Sequence, residues 1–149
     1  SGFGRLGMSA VLVWFAMQQG PLQGDSLRER VAGSDAGCVV EFRGTVRGTA
    51  RGLDVVQLEY EAYPEMVEAE LQRIASETAA QHDILRIAIE HSVGIVPVGG
   101  CSVHIAIASA HRASAFAAAA ALMDQLKVRV PIWKKEVDSE GGVWLGRGS

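Results

Sequence analysis

Apolar residues along this 149-residue chain fall into short β-type runs separated by two long stretches of helical period. Ala10–Met17 is apolar, rich in β-formers and closed by Gly20-Pro21, which predicts a strand. Asp25 or Ser26 suits the cap of a short helix running to Ala32, with Gly33 as its stop. Gly37–Val46 carries Cys38, Val39, Val40 and Phe42 into Arg43-Gly44-Thr45-Val46-Arg47-Gly48, a strand entering a cationic loop punctuated by glycine. Val55–Tyr60 alternates Val56, Leu58 and Tyr60 with Gln57 and Glu59, the pattern of a half-buried strand.

Pro64 fits the first turn of a helix, and Glu65 and Glu68 favour its positive end. Val67, Leu71, Ile74 and Thr78 then share one helical face. Ile84–His91, continuing toward Val96, and Cys101–Ser109 read as two strands joined by the turn Pro97-Val98-Gly99-Gly100. Ser109-Ala110-His111-Arg112 leads into a second helix with Phe116, Ala119, Met123 and Leu126 on its apolar face. The alanines at 117–121 suggest close packing on a sheet, where only a methyl fits. Pro131 stops this helix. Ile132–Val137 reads as a strand, and Gly141-Gly142 turns into Val143-Trp144-Leu145. Short turns between neighbouring strands imply antiparallel pairing, so the fold class is α+β rather than doubly wound.

Composition narrows the function. At 48% apolar, 21% charged and net charge −3, the chain is globular, and it lacks the basic excess that binding a phosphate backbone needs. No apolar run reaches the roughly 18 residues of a membrane span. Cys38 and Cys101 lie far apart without CxxC spacing, which suggests neither a zinc site nor a disulfide framework and suits a reducing, cytoplasmic setting. Glycine-rich residues 1–8 are assigned to a tag or disordered tail, with Met8 as a natural start, and 9–149 to one domain.

The lysines carry the sharpest signal. All three, Lys127, Lys134 and Lys135, fall within nine consecutive positions, while eleven arginines supply the other positive charges. Lysine can give up its proton when like charges or burial lower its pKa, and Arg129 and Lys134 stand near Lys127 in sequence to provide such repulsion. The alternative is that these cations simply favour a helix C-terminus and a solvated strand. His111-Arg112 opens a helix, where free N–H groups favour an anion, although a solvated pair at a loop would look the same. The Arg43–Gly48 loop has an anion-cradling composition but matches no standard phosphate-binding motif. Glu59 and Glu61 share a strand face, as catalytic carboxylates or a solvated edge. Trp133 suits stacking or packing. His82, His91 and His104 lack metal-ligand spacing, and His104 reads as a hydrogen-bonded sheet residue.

Taken in order, several segments resemble the large, catalytic subunit of molybdopterin synthase. They are Gly37–Arg47, Leu58–Met66, His91-Ser92-Val93-Gly94, Val98-Gly99, Ser109–Arg112, Met123–Lys127 and Val130–Glu136, and the match runs from about Ala10 to Trp144. The resemblance implies an α/β hammerhead with an additional antiparallel β-rich subdomain. It implies sulfur transfer from the C-terminal thiocarboxylate of a small ubiquitin-like subunit, ending in Gly-Gly, to cyclic pyranopterin monophosphate. The product is the dithiolene of molybdopterin, and no cofactor or metal is implied. A homodimer at the centre of a heterotetramer follows from the same likeness. Lys127 and Lys134 would be catalytic. Arg47, His111 and Arg112 would bind substrate, with Lys135 and Glu136 lining the same pocket. Thr45 stands where the family often has lysine, and Arg147 is offset from an arginine that reaches a neighbouring subunit in some members. The alternative function is a non-catalytic docking scaffold for a ubiquitin-like partner.

Overall fold

The computed structural model describes residues 2–5, 11–24, 26–50 and 53–147, with backbone alone at 2–5, 50, 53 and 147. Its elements are β1 (Gly2–Arg5), β2 (Leu12–Gln19), α1 (Leu27–Val31), β3 (Cys38–Thr45), β4 (Thr49–Ala50) and β5 (Leu53–Ala62). They continue with α2 (Pro64–Gln81), β6 (Arg86–Pro97), β7 (Cys101–Ser109), α3 (Arg112–Arg129), β8 (Ile132–Asp138) and β9 (Val143–Arg147). The architecture is α+β, as the pattern predicts. Asp25, offered as a helix cap, lies outside the described residues, and Ser26 holds the cap position of α1 without a side-chain hydrogen bond.

The strands form two connected arrays. In the first, the order is β1-β2-β6-β7-β3. All its pairs are antiparallel except β2 with β6, which run parallel. That parallel pair departs from the reading based on short turns, because β2 and β6 are joined by the long stretch of residues 20–85 rather than by a turn. The backbone of Gly2–Arg5 pairs with β2, so this part of the expected tail is a strand. In the second array β5 pairs with the end of β6 and with β8, β8 pairs with β9, and β4 lies on β5, all antiparallel.

The long strand β6 belongs to both arrays. Residues 86–93 pair with β2, and Gly94–Pro97 pair with β5. The change of partner falls at Gly94, whose φ of +81° places it where an L side chain is strained. A Cβ there would also stand 2.5 Å from the Gln19 amide nitrogen.

Alternation along β6 and β7 divides the core. Ile87, Ile89, Ile105 and Ile107 face α2 and α3, while Ala88, Ala106 and Ala108 face Leu27 and Val31 of α1, beside Trp14. Both faces of β7 are therefore covered, and every one of its residues is buried. On α2 the expected face of Val67, Leu71, Ile74 and Thr78 is buried. On α3 the buried face is Ala115, Ala118, Ala119, Leu122, Met123 and Leu126. Phe116, expected in that face, is 62% exposed. Its neighbours at 115 and 118 take the sheet side, which confirms that the methyl-sized positions are the close-packed ones.

Candidate active site

A hollow of about 570 Å³ opens where the two arrays meet the C-terminal end of α3. Four parts of the chain supply its charged groups, Arg43 coming from β3. Arg47 comes from the loop after β3, which follows a register shift between Gly44 and Thr45. Lys127 comes from the last turn of α3. Lys134 and Glu136 alternate along β8, so both point to one face. Their cross-strand partners on β5 are Tyr60 and Leu58, which line the same hollow. Pro131 separates Lys127 from Lys134: it ends the helix, and the chain reverses into β8 so that both ammonium groups reach one space.

Lys127 and Arg47 are exposed and Lys134 is half-buried, whereas Glu136 is only 6% exposed. Four cations, Arg43 included, thus line one hollow with a single buried carboxylate. Arg129, expected to press on Lys127, instead holds Glu70 at 2.8 Å and also pairs with Glu77, both on α2. Its charge fastens the two helices together. Arg43 lines the wall, and its guanidinium donates to the Gly24 carbonyl at 3.3 Å and lies 3.4 Å from His104 Nδ1. His104 Nε2 is 2.9 Å from Glu41, so His104 is the hydrogen-bonded sheet residue that its position suggests.

Sequence reasoning missed the floor of the hollow. Tyr60 is buried, and burial pushes its phenol pKa up, opposed by a hydrogen bond with Ser102 and reinforced by the Glu136 charge. Ser102 donates to the Gly44 carbonyl at 3.5 Å. The Tyr60 ring meets His91 edge-on at 5.4 Å. Burial lowers the His91 pKa to about 4, and Nδ1 donates to the Ser92 carbonyl at 2.7 Å. Alternation along β5 marked Tyr60 as facing inward. Only the register against β8 places it beside Lys134, and no local pattern encodes that register.

Two groups of expected site residues lie elsewhere. Lys135 points to the opposite face of β8, pairs with Glu59 at 3.5 Å, and lines an outer groove with Glu61, Trp133 and Leu145, which Lys134 borders as well. Glu59 and Glu61 accordingly belong to a solvated strand face, and Lys135 does not line the pocket that Glu136 lines. His111 and Arg112 are exposed at the start of α3, where the His111 backbone N–H donates to Ser109 Oγ at 3.3 Å. Fifteen helical steps of 1.5 Å separate Arg112 from Lys127 by about 22 Å along the axis. Within one chain these two residues do not reach the hollow. Among the described residues, no group of three or more His, Cys, Asp or Glu side chains could hold a metal ion.

Residues 17–129 match the family described as MoaE protein. A molybdopterin synthase catalytic subunit from Oryza sativa subsp. indica is 44% identical over 109 residues, covering 73% of this chain and 56% of that protein. The human protein of the same name is 40% identical over 122 residues, covering 82% of this chain and 65% of that one. The chain thus spans 56–65% of the length of these relatives. A crystal structure of molybdopterin synthase from Staphylococcus aureus superposes with a TM-score of 0.80 at 32% identity, over 89% of this chain and 95% of that one. The matched span runs from β2 to the last turn of α3, taking in the loop of Arg47 and the helix end of Lys127, and the chain belongs to the MoaE protein family.

Proposed function

We propose that this chain is the catalytic subunit of a molybdopterin synthase. It moves sulfur from the C-terminal thiocarboxylate of a small ubiquitin-like partner onto cyclic pyranopterin monophosphate, building the dithiolene. One observation carries the reading: Lys127 and Lys134, from different elements, converge with Arg47 on a single hollow. A phosphate-bearing substrate needs such cations, and a scaffold that merely docks a partner does not.

Sulfur attack that opens the cyclic phosphate develops negative charge on the departing oxygen. Lys127 protonates or stabilises that oxygen, and Lys134 supplies fixed positive charge beside it. The sulfur forms a C–S bond as the C–O bond to phosphate breaks, and water then hydrolyses the resulting thioester, leaving the thiol on the substrate and an ordinary carboxylate on the partner, so no cysteine of this chain carries the sulfur. Cys101 suits this role of bystander, since burial raises its thiol pKa. His111 and Arg112 join the site across a two-fold pair of chains, each copy offering the start of its α3 to the other's hollow. The assembly is then a homodimer flanked by two small subunits. Among the described residues no helix is long and apolar enough to cross a membrane, and two unpaired cysteines suit the cytoplasm.

The test is single-turnover conversion of the cyclic precursor with thiocarboxylated partner. Lys127→Ala is expected to bind the partner normally and to form no product on the wild-type timescale. Product formation at the wild-type rate rejects the assignment.

A further inference from the structure

A second recess, of about 620 Å³, opens where β5 passes into α2. Tyr63 and Trp133 form two of its walls, and Glu61 stands beside them. The two rings meet edge to face at 5.8 Å with an interplanar angle of 86°, which leaves a right-angled corner between them. Both are open to solvent, Tyr63 at 63% and Trp133 at 41%.

Rigid backbone holds the corner ready. Pro64 restricts Tyr63 to extended backbone, and the Tyr63 carbonyl accepts from the Val67 N–H at 3.0 Å as α2 begins. Trp133 lies on β8, which is paired on one side by β5 and on the other by β9. Walls fixed in this way lose little freedom when a guest enters.

Charge selects the guest. Glu61 is the cross-strand partner of Trp133, so its carboxylate leaves the sheet on the same face as the indole. Glu59 on that face is taken by Lys135 at 3.5 Å, and Lys134 alternates toward the hollow. Among the described residues Glu61 has neither an ion pair nor a hydrogen bond. Aromatic faces attract a cation, and a carboxylate beside them accepts two parallel N–H bonds from a planar guanidinium. We propose that Tyr63, Trp133 and Glu61 form a receptor for an arginine side chain presented by a second polypeptide. The site stands apart from sulfur transfer, in which none of the three residues has a role.

An NMR titration of the ¹⁵N-labelled full chain tests it, with N-acetyl-arginine amide as probe. Its neutral isostere N-acetyl-citrulline amide and N-acetyl-lysine amide are the comparisons. The Trp133 indole N–H signal, identified by its loss in Trp133→Phe, is expected to shift saturably with the arginine probe. Citrulline should bind about tenfold more weakly and lysine about threefold more weakly. Glu61→Gln and Tyr63→Leu, both at the surface, should each weaken arginine binding about threefold at low salt. Either variant serves if the other does not fold. Absence of a saturable shift overturns the proposal, as does equal affinity for arginine and citrulline or an unchanged affinity in a folded variant. Arg147 of the same chain lies opposite Trp133 along β9. A tenfold gain in probe affinity on Arg147→Ala would give the corner to that arginine and overturn the claim of a second polypeptide, whereas unchanged affinity supports it.

Discussion

Lys127 in the last turn of α3 and Arg112 in the first are both exposed cations beside a strand, yet Lys127 lines the central hollow and Arg112 does not. The same helix positions both, and its length keeps them about 22 Å apart. At the C-terminal end, Pro131 turns the chain straight back so that Lys134 arrives beside Lys127. At the N-terminal end, Ser109 and His111 close the turn from β7, and Arg112 does not line the hollow. The contrast shows that a cation at a helix end becomes a site only when another element converges on it. For Arg112, the homodimer proposed above would supply that element from a second copy of the chain.

The largest expected effect comes from the end already assembled. Loss of a positioned acid–base group typically costs about 100- to 10,000-fold in rate. Lys127→Ala should fall in that range in single-turnover assays, with the melting temperature nearly unchanged because the side chain is exposed. Lys134→Ala should act in the same direction.

A mixing experiment tests the other end. Arg112→Ala and Lys127→Ala are each expected to be nearly inactive. In a mixed pair, one hollow collects both defects and the other is complete. Random re-pairing of equal amounts should therefore restore about a quarter of the wild-type rate. If both residues served a hollow of their own chain, each site in the mixture would keep one defect and no activity would return.

Much of the C-terminal end was legible in sequence. Three lysines in nine positions, with a proline between the first and second, already marked a helix exit feeding a strand. The elements were legible too, because α2 keeps one apolar face and β7 carries the apolar run Ile105–Ala108. What stayed hidden depends on register and on long-range pairing. The parallel contact of β2 with β6 joins residues more than 70 positions apart. The placement of Tyr60 opposite Lys134 follows from strand register, which a one-residue slip would reverse. Phe116 misled because a large apolar residue looks like core, while the sheet is packed too closely to α3 for anything larger than a methyl at the nearest positions.

Arg129 separates charge used for structure from charge used for chemistry at a single helix end. It stands two residues after Lys127 but binds Glu70 and Glu77 across the α2–α3 contact. These ion pairs sit at the surface and are screened by solvent, so Arg129→Ala should lower the denaturation midpoint only slightly. Its effect on single-turnover rate should stay within about twofold, because its partners already hold it away from the hollow. A rate loss approaching that of Lys127→Ala would mean that its charge acts on the reaction after all. Chemical denaturation and the turnover assay together decide.

The smallest effect belongs to Lys135, whose sequence position between Lys134 and Glu136 makes it the severest test of the strand geometry. The two neighbours point into the hollow, and alternation turns Lys135 outward to Glu59 at 3.5 Å, with 40% of its side chain exposed. An ion pair that open contributes little to stability. Lys135→Ala is therefore expected to leave turnover within about twofold of wild type and stability within about 0.5 kcal/mol. Lys134→Ala, one position away, should nearly abolish turnover. If the two variants lose rate equally, β8 does not present alternate residues to opposite faces during the reaction, and the convergence of Lys127 with Lys134 fails with it. A steep difference between adjacent lysines is what a single strand register requires.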